Sequence, residues 1–142
     1  MFLRGYISRR AIVAAALVIS VVLSISPTLF SPTVKATKLL VVAPTSFIDL
    51  GEPTELTLKA IDELGNLDAD RDDLVELSLK PVSYSKAMAE LSSTSVTLRN
   101  GIGHVHILGN VPEVVDVVAT WRDGRSPLES SSVRLFIGIG EE

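Results

Sequence analysis

Four aspartates within six residues, Asp68, Asp70, Asp72 and Asp73, crowd carboxylate oxygens into one short stretch, and oxygen is the donor that calcium takes. Their spacing is not that of an EF-hand. With Asp68 as the first position, Asp73 stands where glycine is required and Leu79 where the closing glutamate belongs. The four are the candidate metal residues of the chain, but the spacing favours an acidic loop solvated at the surface over a calcium site. His104 and His106, the only two histidines, alternate along one segment and would share a strand face, the geometry of a two-imidazole metal clamp. Plain solvent-facing histidines account for that spacing too. Ser130, Ser131 and Ser132 have neither a histidine nor a nucleophile elbow near them, so nothing supports nucleophilic catalysis. A copper-binding sandwich would need a cysteine or more histidines, and the chain has no cysteine. The residues therefore argue against an enzyme, with no catalytic group, cofactor-binding residue or resident cofactor implied.

The elements that must position these residues are strands. PTELTLKAID alternates Leu56, Leu58 and Ala60 against Thr57 and Lys59, and LVELSLKPV alternates Val75, Leu77 and Leu79 against Glu76, Ser78 and Lys80. A period of two is that of a strand with one buried face. Further strands are expected at Lys38 to Ala43, Phe47 to Leu50, Ala89 to Leu91, Ser95 to Leu98, Gly103 to Leu108, Val114 to Trp121 and Ser131 to Ile137. Turn signals separate them: Gly51-Glu52-Pro53, Gly65-Asn66, Asn100-Gly101, Gly109-Asn110 and Asp123-Gly124. Only Ser83 to Leu91 resembles a helix. So many short strands at intervals of about 8 to 12 residues predict a single antiparallel β-sandwich over residues 37–142.

Ahead of it lies a segment of another kind. Arg4, Arg9 and Arg10 precede an apolar stretch beginning at Ala11, and Val34-Lys35-Ala36 before Thr37 suits a signal peptidase cut between Ala36 and Thr37. Residues 1–36 are thus expected to be an export signal. Alternatively, the apolar helix over residues 11–30 is kept as a transmembrane anchor, since about 20 residues cross a hydrocarbon core. The arginines place the N-terminus inside and the domain outside in either case. Ser8-Arg9-Arg10 also resembles a twin-arginine motif, and Arg10-Ala11 the processing site of archaeal pilin-like proteins, whose apolar helix forms a filament core. Pro27 and Pro32 interrupt such a helix early.

Composition sets further bounds. Without cysteine the domain has no disulfides and must be held by its core. The absence of Gln, with three Asn and two Met, fits a protein from a hot habitat. All 17 acidic residues follow Ala36, while four of the 13 basic ones precede Thr37, so residues 37–142 carry a formal charge of −8. That charge argues against nucleic acid as a partner.

The order of motifs resembles the bacterial and archaeal immunoglobulin-like domains of the invasin and intimin type. There a strand ending Ala-x-Asp-x-x-Gly-Asn is followed by an Asn-Gly-x-Gly turn and then by a strand ending Val-x-Ala-Thr. Here these are Ala60, Asp62, Gly65 and Asn66; Asn100, Gly101 and Gly103; and Val117, Ala119 and Thr120. Each has a physical job: Asp62 accepts bonds from the amides of the following turn, Gly65 takes positive φ, and Gly103 lets another side chain press close. The resemblance implies an immunoglobulin-like sandwich acting through sheet faces, loop tips or free edges. The expected function is an extracytoplasmic interaction or structural module of a cell envelope, anchored or secreted, that binds another envelope or surface protein. The alternative is a self-associating surface filament built by strand exchange or through the N-terminal apolar helix, with Lys38 to Ala43 as the donor strand.

Overall fold

The computed structural model describes residues 33–140. The expected apolar helix over residues 11–30 and all of the export segment except Thr33 to Ala36 lie outside the described residues. The chain from Val34 forms one compact unit of nine strands. These are β1 (Lys38–Val42), β2 (Phe47–Ile48), β3 (Thr54–Ile61), β4 (Leu74–Pro81), β5 (Glu90–Leu91), β6 (Ser95–Thr97), β7 (Ile102–Leu108), β8 (Glu113–Asp123) and β9 (Ser131–Ile137). They form two sheets, of order β1-β3-β7-β5 and β2-β9-β8-β4-β6. The sandwich is all-β, and among the described residues no helix is long and apolar enough to cross a membrane.

Alternation decides which side chains meet between the sheets. Leu56, Leu58 and Ala60 of β3, Val105 and Ile107 of β7, and Leu39 and Val41 of β1 bury against Val75 and Leu77 of β4, Val115, Val117 and Ala119 of β8, and Leu135 and Ile137 of β9. The alternate residues of the same strands remain at least partly open to solvent, except at the end of β3, where Ile61 is buried. Gly103 lies on the inward parity, and a Cβ there would sit 2.7 Å from Val96 Cγ1 and 3.1 Å from Leu98 Cδ2. Glycine is thus required by close approach, as the sequence indicated. Asn100 and Gly101, at φ 52° and 78°, make the tight turn that brings Arg99 and Ile102 back to back before β7. Two consecutive residues with positive φ define a type I′ geometry, for which Asn-Gly is the preferred pair.

Three details differ from the sequence reading. One pairing is parallel: β2 lies beside β9 with Phe47 opposite Phe136, because the chain leaves β1 at Ala43-Pro44 and crosses to the other sheet without reversing. Proline cannot donate to a ladder, so a break in pairing falls there. The stretch from Ser83 to Leu91 is not helical but a bent connection ending in β5. Strand β8 begins at Glu113 and continues to Asp123, longer at both ends than Val114 to Trp121.

The expected processing site sits inside this architecture. Ala36 belongs to the buried core, its N–H donates to Asp68 Oδ2 at 2.9 Å, and the Thr37 N–H donates to the Ile61 carbonyl at 2.9 Å. A chain beginning at Thr37 lacks the Ala36 methyl and leaves the buried Asp68 carboxylate short of a donor. It should be less stable than one beginning at Val34 by about 1–3 kcal/mol, the cost of an unsatisfied buried polar group. Urea denaturation of the two fragments measures the difference, and equal midpoints would refute it.

Candidate functional site

Half of the acidic loop is built as an internal clasp, which corrects the reading of a solvated surface loop at Asp68 and Asp73, while Asp70 and Asp72 are exposed as that reading expects. Asp68 and Asp73 are buried, and between them Arg71 is only 1% exposed. Arg71 Nε and Nη2 donate to the two Asp73 oxygens at 2.9 and 2.6 Å, Nη1 donates to Ser126 Oγ at 2.9 Å, and Nη2 donates to the Ser126 carbonyl at 2.5 Å. Trp121 Nε1 donates to Asp73 Oδ2 at 2.8 Å. Burial alone would raise the Asp73 carboxyl, but the bonds from Arg71 and Trp121 and the positive charges of Arg71 and Arg125 outweigh it and hold the group below the usual carboxylate range. Asp68 accepts the Ala36 and Asp70 amides, and the exposed Asp72 accepts that of Asn100. The carboxylates of Asp68, Asp72 and Asp73 thus point to separate backbone and side-chain donors. Among the described residues, no three His, Asp or Glu side chains converge so as to hold a metal ion.

The turn after β3 behaves as the motif requires. Asp62 accepts the Leu64 and Asn66 amides at 2.9 and 2.8 Å and the Asn66 side-chain amide at 3.0 Å, with Gly65 at φ 88°. Bonds from the Asn66 side chain and backbone lower the Asp62 carboxyl from its ordinary value. His104 and His106 face solvent on the outer side of β7, and Glu55 of β3 lies between them, 3.3 Å from His104 Nδ1 and 3.7 Å from His106 Nε2. Ser130, Ser131 and Ser132 line a shallow cleft with Lys80, Asp116 and Val118, without a histidine.

A groove that the sequence did not announce lies between β4 and the connection running from Ser83 to Glu90. Its volume is about 560 Å³, and Leu77, Leu79, Pro81, Ala87, Ala89 and Leu91 supply its apolar lining. Strand β6 covers only Leu74 to Glu76 of β4. The Leu77 N–H points away from β8, to the Thr94 carbonyl at 2.8 Å, whereas the Val82 N–H points toward β8, to the Val114 carbonyl at 3.1 Å. By strand parity the Leu79 N–H and C=O also point away from β8, beyond the end of β6, so the edge of β4 is open above the groove.

Glu113 shapes the far wall. It is 1% exposed at the start of β8, and its carboxylate accepts the Met88 amide at 3.1 Å and the Ala89 amide at 2.5 Å. Those bonds tie the connection to the start of β8, and Val82, Tyr84 and Met88 beside it in sequence are exposed. The Tyr84 hydroxyl donates to the Pro112 carbonyl at 3.0 Å, which fixes its ring there. Proline at 81 and the serines around it gave no periodic signal from which this wall could be inferred.

Two sheets joined in this order, with the Asp62 turn and the open edge, define an immunoglobulin-like β-sandwich. The fold recurs in an adhesin of Yersinia pseudotuberculosis, InvE, at a TM-score of 0.58 and 11% identity over 72% of this chain and 32% of that one. The resemblance to invasin-type domains therefore holds in fold. The fold also recurs in a glycosyl hydrolase family 2 member of Bacteroides cellulosilyticus, at a TM-score of 0.60 and 16% identity over 72% of this chain and 14% of that one. A β-glucuronidase of Parabacteroides merdae gives 0.56 and 14% identity over 75% of this chain and 13% of that one. This chain accordingly spans only a small part of each of these proteins. No family model matches the sequence, and no curated protein matches it.

Proposed function

We propose that the protein is a non-catalytic, extracytoplasmic interaction module of a cell envelope, and that it binds another envelope or surface protein by adding that protein's strand to β4. The open edge at Leu79 carries this reading. A bound strand would satisfy the Leu79 N–H and C=O, place alternate side chains over Leu77, Leu79 and Ala89, and run beside the connection that carries the exposed Met88. The basic head and apolar run supply the export. Occurrence of the fold within an adhesin is compatible with the reading, and the acidic surface disfavours nucleic acid.

Strand exchange through Lys38 to Ala43 is less well supported. That segment pairs along its length with β3, Lys38 opposite Ile61 through Val42 opposite Thr57, and donating it would expose Leu39 and Val41. Assembly through the N-terminal apolar helix falls outside the described residues.

The experiment places a photo-cross-linking side chain at Met88, 56% exposed between the groove-lining Ala87 and Ala89, or at Leu64, 88% exposed on the Asp62 turn, in the full chain on intact cells. Met88 should give a discrete protein adduct, and Leu64 none. Leu79→Pro removes the outward-facing N–H, which no strand of the domain uses, and should abolish the adduct while the protein stays folded. Equal adducts from both positions, or a domain that external protease never reaches, would refute the proposal.

A further inference from the structure

The outer face of the β3–β7 pair brings two imidazoles and a carboxylate, side chains of metal-ligating type, close together from two strands. Glu55 is directly opposite His106, and His104, opposite Thr57, is its diagonal neighbour. Side chains two apart on a strand stand on one face, so both imidazoles and the carboxylate share the same outward surface. Tetrahedral ligands at about 2.0–2.1 Å from zinc stand about 3.3 Å from one another. The Glu55 oxygens already lie 3.3 Å from His104 Nδ1 and 3.7 Å from His106 Nε2. In the described rotamers the carboxylate lies between the rings with a different oxygen toward each, so the donors face one another in pairs and no common point is enclosed. All three side chains are about half exposed, and among the described residues the Glu55 carboxylate accepts from no further group. Glu55 is half exposed, so it can turn about its own side-chain bonds without disturbing the core.

We infer that Glu55, His104 and His106 form a surface site for a divalent transition-metal ion of the zinc type, fastening β3 to β7 on the solvent face. Two imidazoles and one carboxylate are borderline-soft ligands that suit Zn²⁺, Ni²⁺ or Cu²⁺, and imidazole disfavours the hard cations Ca²⁺ and Mg²⁺. Three protein ligands leave a fourth position for water or for a donor brought by another molecule. The acidic domain favours approach of a cation. His104 and His106 are the only histidines in the chain and cysteine is absent, so any imidazole-dependent binding must arise at this site. The inference is independent of the groove beside β4, which lies on another strand edge.

The test titrates the purified full chain, in detergent where the apolar head requires it, with Zn²⁺ against a chromophoric chelator. Binding of a single imidazole-dependent ion is expected. His104→Ala and His106→Ala should each weaken it by at least about 10-fold, since loss even of groups that merely support a ligand costs 10- to 100-fold. Glu55→Gln should weaken it by a similar factor while both imidazoles remain. Co²⁺ in the wild-type site should give the visible absorption of a tetrahedral centre, and Zn²⁺ should raise the melting temperature. Paramagnetic Ni²⁺ added to the wild-type chain provides a readout that needs no variant: the amide signals of Glu55, His104 and His106 should broaden first. Broadening centred on Asp68 to Asp73, binding indifferent to both histidines, or wild-type affinity in Glu55→Gln would overturn the assignment.

Discussion

Replacing Arg71 by methionine should destabilise the domain by about 3–5 kcal/mol, because it strands a buried carboxylate without its counter-charge. Arg71 and Asp73 are each 1% exposed, and the guanidinium satisfies both Asp73 oxygens together with the Ser126 hydroxyl and carbonyl. Without Arg71, the Trp121 Nε1 bond alone would remain on the Asp73 carboxylate among the described residues. The double variant Arg71→Met/Asp73→Leu should lose less than Arg71→Met alone, since removing both charges also removes their desolvation cost. The Asp73 carboxyl is held below its ordinary value in the folded state, so the stability it contributes is full above the unfolded carboxylate range. That stability falls away as pH drops through the lower folded value. Urea denaturation at neutral pH and at descending acid pH should therefore show a shallower acid dependence in the double variant than in the wild type. An Arg71→Met protein with wild-type midpoints would show that the clasp adds no stability.

This clasp is also where the sequence was least legible. Four aspartates in a row of six residues signal a solvated loop because isolated carboxylates are costly to bury. Arg71, two residues from Asp73, supplies the counter-charge, and the remaining partners that let the pair be buried come from far along the chain: Trp121 lies 48 residues from Asp73, and Ser126 lies 55 from Arg71. No local pattern records such a meeting. Glu113 was missed for the same reason, since its donors Met88 and Ala89 arrive from another part of the chain. The strands were legible because their determinants are local. Alternation in β3 and β4 sets the buried face, and Asp62 with Asn66, four residues apart, makes its own turn. His104 and His106 were seen to share a face, but Glu55 joins them only through the register of β3 on β7. The groove depends on where β6 stops pairing with β4, a length that turn residues alone do not fix.

The register itself yields the second large effect. Leu58→Ala should cost about 2–5 kcal/mol, the range for truncating a buried leucine, while Thr57→Ala should stay within about 1 kcal/mol. Leu58 is fully buried at the centre of β3, opposite Val41 of β1 and Gly103 of β7. Its neighbours across the ladders are thus a short side chain and none at all, so little can move into the space that truncation leaves. Thr57, opposite Val42 and His104, lies on the outer face where water replaces what is removed. A slip of one residue would exchange the two faces of β3 and with them the two costs. It would also move Glu55 away from His104 and His106, since their approach depends on the same pairing. Equilibrium denaturation of the two single variants measures the contrast: equal losses at 57 and 58 would mean that β3 pairs in another register, and the surface site proposed on β3 and β7 would fall with it.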